Sequence, residues 1–310
     1  MTQPRIAFLG IGLMGRPMAL NLLHAGFPLN AWNRSHAKAE ALTGEGARAC
    51  TSPDEAVADA DIVISMLENG PVVDAVLLSQ TTLDALKPGT LVIDMSSIPP
   101  EMAKRHGAIF AERGIGYLDA PVSGGTVGAE QASLSIMAGG SRDDFDRAGP
   151  VFAALGKAAT YIGPTGSGQL AKCANQAIVG ITIGAVAEAL LLAAKGGADP
   201  AAVREALLGG FAGSRILELH GERMIERAFV PGATARVQLK DLTTILDTAR
   251  EEQLQLPLTQ QVFEQYRQLI ENGLEEVDHS GLLLQLEALN APARLNDLPT
   301  RKPEGTGESV

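Results

Sequence analysis

The sequence predicts an α/β domain, then one long helix, then an all-α C-terminal domain. Three observations predict it. Apolar runs of strand length alternate with helical patterns through the first half. A glycine-rich turn joins the first run to the first helix. After the loop Gly163-Pro164-Thr165-Gly166-Ser167-Gly168 no strand signal recurs. Strands alternating with helices imply a parallel sheet covered on both faces. The 310 residues suffice for two domains with a large core. The expected divisions are an α/β domain over 1–164, an interdomain helix over 165–195, a helical domain over 196–290 and an unstructured tail over 291–310.

The first strand, 6–9, runs into Gly10-Ile11-Gly12-Leu13-Met14-Gly15 and then into an amphipathic helix that ends at His24, before Gly26. Gly10 permits the tight turn, Gly12 lets a pyrophosphate approach the backbone, and Gly15 lets the helix pack on the strand. The helix start offers N–H groups and a positive dipole end to phosphates. A strand, this glycine pattern and a helix, in that order, specify a Rossmann-type dinucleotide-binding domain.

The second strand, 29–33, ends in Asn33-Arg34-Ser35. An acid at this place grips the ribose 2′-hydroxyl of NAD. Here no carboxylate repels a 2′-phosphate, Arg34 can pair with it, and Asn33 and Ser35 can add hydrogen bonds. NADP is therefore the expected cofactor, with NAD possible. In the alternative, Ser35 only caps a helix over 35–42 and Arg34 is solvated. Further strands are expected over 47–50, 62–67, 90–95, 116–119, 134–138 and 159–162, with 134–138 pairing antiparallel at the edge. Ser52-Pro53-Asp54-Glu55 reads as a capping box.

The segment 169–195 reads as one helix, about 40 Å long and apolar nearly all round. Such a helix should be buried between domains or subunits. Helices are expected over 200–208, 215–226, 240–252, 257–271 and 280–288. The tail, with Pro292, Pro299 and Pro303, has no apolar periodicity. A helical domain this small and apolar points to a homodimer or homotetramer.

The composition, 45% hydrophobic and 20% charged, is that of a soluble globular protein. A net charge of −11 argues against nucleic acid and against anionic membranes. Cys50 and Cys173 lie far apart and read as free thiols in a reducing cytoplasm. No signal-peptide architecture is expected at the N-terminus. The apolar stretch 177–187 is too short to span a bilayer. The five histidines share no metal spacing and no Cys-x-x-Cys occurs, so no metal is expected.

Hydride chemistry needs a substrate anchor and an acid or base beside the nicotinamide. Asp119-Ala120-Pro121-Val122-Ser123-Gly124-Gly125 follows a strand and so lies at a sheet's carboxyl edge. The Ser123 hydroxyl and the Gly124 and Gly125 N–H groups can hold a carboxylate; equally, the glycines can serve only a turn. Lys172 lies near the start of the long helix, with Asn175 and Gln176 at i+3 and i+4 on the same face. Apolar surroundings and the dipole should lower its pKa toward the range useful for acid–base work. The alternative is a lysine snorkelling at a helix end. Lys240 could reach the site or be solvated.

Together these pieces resemble the β-hydroxyacid dehydrogenase family, relatives of 6-phosphogluconate and 3-hydroxyisobutyrate dehydrogenases. The resemblance runs from about Arg5 to Leu289. It rests on the glycine turn, the Asp119–Gly125 segment, the 163–168 loop leading to Lys172 and Asn175, and Lys240-Asp241-Leu242. It implies that Lys172 is catalytic, that Ser123, Gly124 and Gly125 bind the substrate carboxylate, and that Asn175 contacts substrate. It also implies that Ser97 and Lys240 lie against the cofactor. Met66 and Leu67, at the end of strand 62–67, are counted among the cofactor-binding residues with Gly10 to Gly15, Asn33, Arg34 and Ser35. Segments such as 209–214, 255–259 and 278–280 look most like the 2-hydroxy-3-oxopropionate (tartronate semialdehyde) reductase branch. The implied reaction is reversible hydride transfer between NAD(P)H and a short 3-oxo acid, giving a 3-hydroxy acid such as glycerate. A 3-hydroxyisobutyrate or threonate-type dehydrogenase is the alternative. Imine reductases resemble the fold but generally lack the lysine. A non-catalytic cofactor sensor is the reading furthest from the motifs.

Overall fold

The computed structural model describes residues 3–303, in two compact units divided between Lys172 and Cys173. The first unit carries the strands β1 (Ile6–Leu9), β2 (Leu29–Trp32), β3 (Arg48–Ala49), β4 (Ile62–Ser65), β5 (Leu91–Asp94), β6 (Gly116–Asp119), β7 (Val122–Ser123), β8 (Leu134–Gly140) and β9 (Gly156–Gly163). Its helices are α1 (Gly15–His24), α2 (His36–Glu40), α3 (Pro53–Val57), α4 (Gly70–Leu77), α5 (Gln80–Ala85), α6 (Pro100–Ala111), α7 (Gly125–Glu130) and α8 (Arg142–Leu155). The sheet order begins β3-β2-β1-β4-β5-β6, all parallel, and continues into β8 and β7. This is the doubly wound order that reverses direction between β1 and β4, where dinucleotides bind. β8 runs antiparallel to β6 and β7, as expected, but it also pairs parallel with β9 and so lies inside the sheet rather than at its edge.

Alternate strand residues feed two cores. Ile6, Phe8, Ile62, Ile64, Leu91 and Ile93 pack with Met18, Leu22, Val151 and Phe152 of α1 and α8. Ala7, Leu9, Val63 and Val92 pack with residues of α3, α4 and α6, such as Val57, Val73 and Phe110. Burial on both faces is why these strands read as continuous apolar runs. The Ser52 hydroxyl accepts from the Glu55 N–H (3.3 Å), as a capping box requires. The Glu55 carboxylate turns instead to the Thr51 N–H and hydroxyl.

The long helix α9 (Ser167–Lys195) starts in the first unit. The division thus falls inside the helix rather than at 164, because the first turns of α9 are bonded to the strand ends, as described below. The second unit holds the rest of α9, α10 (Pro200–Leu208), α11 (Arg215–Ile225), α12 (Ala235–Glu251), α13 (Pro257–Glu271) and α14 (Leu282–Leu289). Its core joins Ile183, Val186, Ala187 and Leu190 of α9 to Leu217, Leu242, Tyr266, Leu269 and Leu283.

Four expectations need correction. α12 begins at Ala235, capped by the Thr234 hydroxyl on the Val237 N–H, so Lys240 sits inside the helix rather than opening it. By length and composition α9 is apolar enough to cross a membrane, an 18-residue stretch of it having mean hydropathy 2.2, so the stretch 177–187 understated it. Core helices of soluble proteins meet the same criterion, and Ile183, Ala187 and Leu190 are buried here. The short strand β7 was not anticipated, because two residues carry no period. Finally, part of the 291–310 segment is held in place. Leu295 is buried, its N–H donates to Glu287 Oε1 (2.8 Å), and Arg301 exchanges backbone bonds with Arg227 and Phe229. Pairing with a buried ion pair, not apolar periodicity, orders it. Residues 304–310 of the expected tail lie outside the described residues.

Candidate active site

Every segment expected to bind cofactor or substrate in the first unit follows the carboxyl end of a strand. Gly10 to Gly15 follow β1, Met66 and Leu67 follow β4, Ser97 follows β5, and Ser123 to Gly125 follow β6.

The glycine turn is built as its spacing requires. Gly10 has φ +108, and a Cβ there would lie 2.3 Å from the Met66 carbonyl oxygen. A Cβ on Gly15 would lie 1.9 Å from the Gly10 carbonyl oxygen. Around Gly12 a Cβ would meet nothing within 4 Å, so that side of the turn is open to a ligand. The first backbone bond of the helix runs from the Arg16 N–H to the Gly12 carbonyl (3.0 Å), leaving the preceding turn's N–H groups to an anion. These residues fit a dinucleotide pyrophosphate.

Asn33 is committed differently from the expectation. Its Oδ1 accepts from the Ile11 N–H (2.9 Å) and its Nδ2 donates to the Ser35 carbonyl (3.1 Å). It therefore latches the glycine turn to the end of β2. Ser35 is the N-cap of α2 but its side chain makes no capping bond, so the cap reading fails for its hydroxyl. Arg34 is exposed. Arg34 and the Ser35 hydroxyl are the groups left at this end for a 2′-phosphate.

At the substrate end, β7 pairs Ser123 with Ser135 of β8. Gly124 (φ +138) and Gly125 (φ +61) follow in the left-handed region and leave their backbone exposed. Lys172 reaches this segment: its Nζ donates to the Val122 carbonyl (2.9 Å), one residue before Ser123. The structure thus brings the candidate acid–base group and the candidate anchor together within one unit.

In the second unit, Asn175 Nδ2 donates to Gln176 Oε1 (2.8 Å), and Gln176 Nε2 donates to Asp241 Oδ2 (2.5 Å). Lys240 Nζ lies 3.1 Å from Asp241 Oδ1. Asn175 and Lys240 are therefore linked through Gln176 and Asp241, which the sequence placed beside them without a role. The available signal was an acid on the apolar face of α12, where Gln238, Asp241, Leu242 and Ile245 are all buried.

Two buried acids lie side by side beneath the site. Asp94 and Asp119 are register partners at the ends of β5 and β6. Burial pushes Asp119 up to about 6, while the Gly166 and Gln169 N–H groups oppose the rise and Asp94 adds to it. Asp94 is raised by burial, against bonds from Ser96 and Ser65.

Although the five histidines share no metal spacing in the sequence, the fold brings two of them together with an acid. His220, Asp278 and His279 present ligand atoms within 4.8 Å of one another. Folding, not sequence spacing, assembles them: His220 comes from α11 and the others from the turn before α14. The carboxylate of Asp278 is already occupied. It accepts from the Ser280 N–H and hydroxyl and the Gly232 N–H, and it pairs with Arg223. Burial pushes His279 down to about 4, so it is neutral at pH 7, and its Nδ1 lies 3.2 Å from Gln238 Oε1. These groups are committed to one another as a polar core.

Residues 5–163 match the family model described as the NAD binding domain of 6-phosphogluconate dehydrogenase. Residues 166–286 match that of the NAD-binding region of NADP-dependent 3-hydroxyisobutyrate dehydrogenase. The chain is 44% identical over 287 residues to the 2-hydroxy-3-oxopropionate reductase of Escherichia coli (strain K12), covering 92% of this chain and 98% of that one. It is 37% identical to a 3-hydroxyisobutyrate dehydrogenase of Pseudomonas aeruginosa, with coverages of 82% and 88%. The solved structure of Mycobacterium tuberculosis 3-hydroxyisobutyrate dehydrogenase with L-serine matches with a TM-score of 0.85 at 31% identity, covering 92% of this chain and 99% of that one.

Proposed function

From its membership of the β-hydroxyacid dehydrogenase family, and so as an NAD(P)-dependent oxidoreductase acting on 3-hydroxy acids, we propose that this chain is an NADPH-preferring reductase of 2-hydroxy-3-oxopropionate, working reversibly with glycerate. The observation that carries the reading is Lys172 Nζ on the Val122 carbonyl, beside Ser123. The relative at 44% identity supports the substrate. Bound NADPH supplies a hydride to the aldehyde carbon. The Ser123 hydroxyl and the Gly124 and Gly125 N–H groups hold the substrate carboxylate. Asn175 contacts the substrate hydroxyl. The Lys172 ammonium stabilises the developing alkoxide and gives it a proton; in the reverse direction neutral Lys172 takes the hydroxyl proton. The 37% relative supports 3-hydroxyisobutyrate oxidation as the second reading. Nicotinamide absorbance with a panel of short semialdehydes and 3-hydroxy acids separates the two. Higher kcat/KM on 3-hydroxyisobutyrate than on glycerate would overturn the first.

Arg34→Ala is expected to weaken NADPH by about 10- to 150-fold and NADH far less. One charge-assisted contact to phosphate is worth about 1.5–3 kcal/mol. Fluorescence titration with both cofactors checks this; equal losses would mean that Arg34 packs only on adenine.

The active protein is a homodimer or homotetramer in this reading. Along α9, Leu170, Ile178 and Leu192 remain 40%, 66% and 76% exposed, and Phe211 is fully exposed. So many large apolar side chains left in water suit a surface covered by a second copy. Light scattering is expected to give at least twice the 32.3 kDa of one chain. A fully active species of single-chain mass refutes it.

A further inference from the structure

We propose that Asp119 and Gln169 are positioning residues for Lys172, fixing the first turn of α9 so that the ammonium meets the Ser123 segment; this rests on the reading of Lys172 as the proton donor. Asp119 ends β6, and its two carboxylate oxygens take different N–H groups at the start of α9. Gly166 donates to Oδ1 (2.7 Å) and Gln169 to Oδ2 (2.9 Å). Lys172 lies three residues beyond Gln169, and its Nζ donates to Val122, three residues beyond Asp119. The segments 119–122 and 169–172 are therefore fastened to each other at both ends. Moving the helix start moves the ammonium.

The Gln169 side chain adds a second tether. Its Nε2 donates to the Ser96 carbonyl (2.8 Å) and its Oε1 accepts from the Ile98 N–H (3.2 Å). Ser96 Oγ in turn accepts from the Leu67 N–H (3.0 Å). One network thus runs from the ends of β4, β5 and β6 to the turn that precedes Lys172.

Two glycines show how closely the parts must approach. A Cβ on Gly168 would lie 2.3 Å from the Asp119 carbonyl oxygen and 2.5 Å from that of Met137. A Cβ on Gly139 would lie 2.7 Å from both Asp119 Oδ1 and the Gly168 nitrogen. The carboxylate also places a negative charge at the positive end of α9, on the N–H of the residue one turn before Lys172. The other titratable groups around this junction include Asp94 on β5, Tyr117 on β6, His106 and Lys104 of α6, Lys104 with its chain against Gly166, and Lys172 itself.

The test compares Asp119→Asn, Gln169→Met and Lys172→Ala with the wild type. Asp119→Asn keeps the shape but sets an amide NH2 against one of the two N–H groups. It is expected to lower kcat by about 10- to 100-fold, the effect of misplacing a reacting group. NADPH affinity should stay within about twofold. In the oxidation direction the pH limb of the Lys172 base should move to lower pH, since a negative charge near a cation is removed. A merely structural role would lower the melting temperature and leave that limb in place. Gln169→Met keeps the volume, and a smaller loss of kcat with intact NADPH binding is expected; this variant carries the test if Asp119→Asn does not fold. Wild-type kcat in either variant, or an unmoved pH limb in Asp119→Asn, overturns the inference. Turnover retained in Lys172→Ala overturns the underlying reading instead.

Discussion

Replacing Lys172 by alanine is expected to reduce kcat by about 10²–10⁴-fold, the usual contribution of one general acid or base. NADPH affinity should hardly change. In the proposed reading the cofactor lies against Gly10 to Gly15 and Arg34, after β1 and β2, whereas Lys172 is tied to Val122, after β6. Loss of the amine should appear in kcat and kcat/KM alike, as for an interaction made in the transition state. Lys172→Arg is expected to leave the enzyme nearly as slow. A guanidinium keeps the charge but does not release a proton in the working range. Stopped-flow and steady-state rates with fluorescence titration of NADPH give the two quantities separately. Near-wild-type kcat in the alanine variant would remove Lys172 from the chemistry. A matching loss of NADPH affinity would place it in cofactor binding.

The parts of this site that were legible in the sequence are those with a local signature. Gly10, Gly12 and Gly15 each answer a steric demand at a fixed spacing, and the distances around Gly10 and Gly15 bear out the demands of those two. The parallel sheet follows from the alternation of strands and helices, whereas its strand order does not. Lys172 and Asn175 could be placed on one face because i, i+3 geometry is fixed within a helix. What stayed hidden depends on contacts far apart in the chain. Asn33 reads as a ribose or phosphate ligand until its bond to the Ile11 N–H, across 22 positions, is seen. Asp119 reads as the first letter of a substrate loop, yet its carboxylate caps a helix 47 and 50 positions away. Gln176 meets Asp241 over 65 positions. No periodicity reports a polar side chain whose partner lies on another element; only an acid on an apolar helix face hints at it. The same blindness made the segment after Ala291 look unstructured, since its order comes from polar bonds.

That segment supports the other large effect. Arg227→Ala is expected to lower the stability of the helical unit by about 3–5 kcal/mol, as when one partner of a buried ion pair is lost. Arg227 is 2% exposed and sits at φ +50. Its guanidinium grips both Glu287 oxygens (2.7 and 2.8 Å), and its Nε donates to the Thr300 hydroxyl (2.9 Å). Removing it leaves the Glu287 carboxylate, itself 7% exposed, held by the Leu295 N–H without the guanidinium that neutralised it. It also frees the Thr300 end of the segment, although the backbone bonds between Arg227 and Arg301 remain. The cost comes from stranding a charge rather than from losing an attraction. Arg227→Met combined with Glu287→Leu should therefore recover much of the loss, because no uncompensated charge stays buried. Urea unfolding of the single and double variants, followed by helical circular dichroism, measures both. Limited proteolysis should cut the single variant near residues 291–303 sooner than the wild type. If the single variant loses less than about 1 kcal/mol, the value of an exposed pair, then Arg227 and Glu287 do not hold the segment. If the double variant is as unstable as the single one, the loss lies in the packing around Arg227 and not in the orphaned carboxylate.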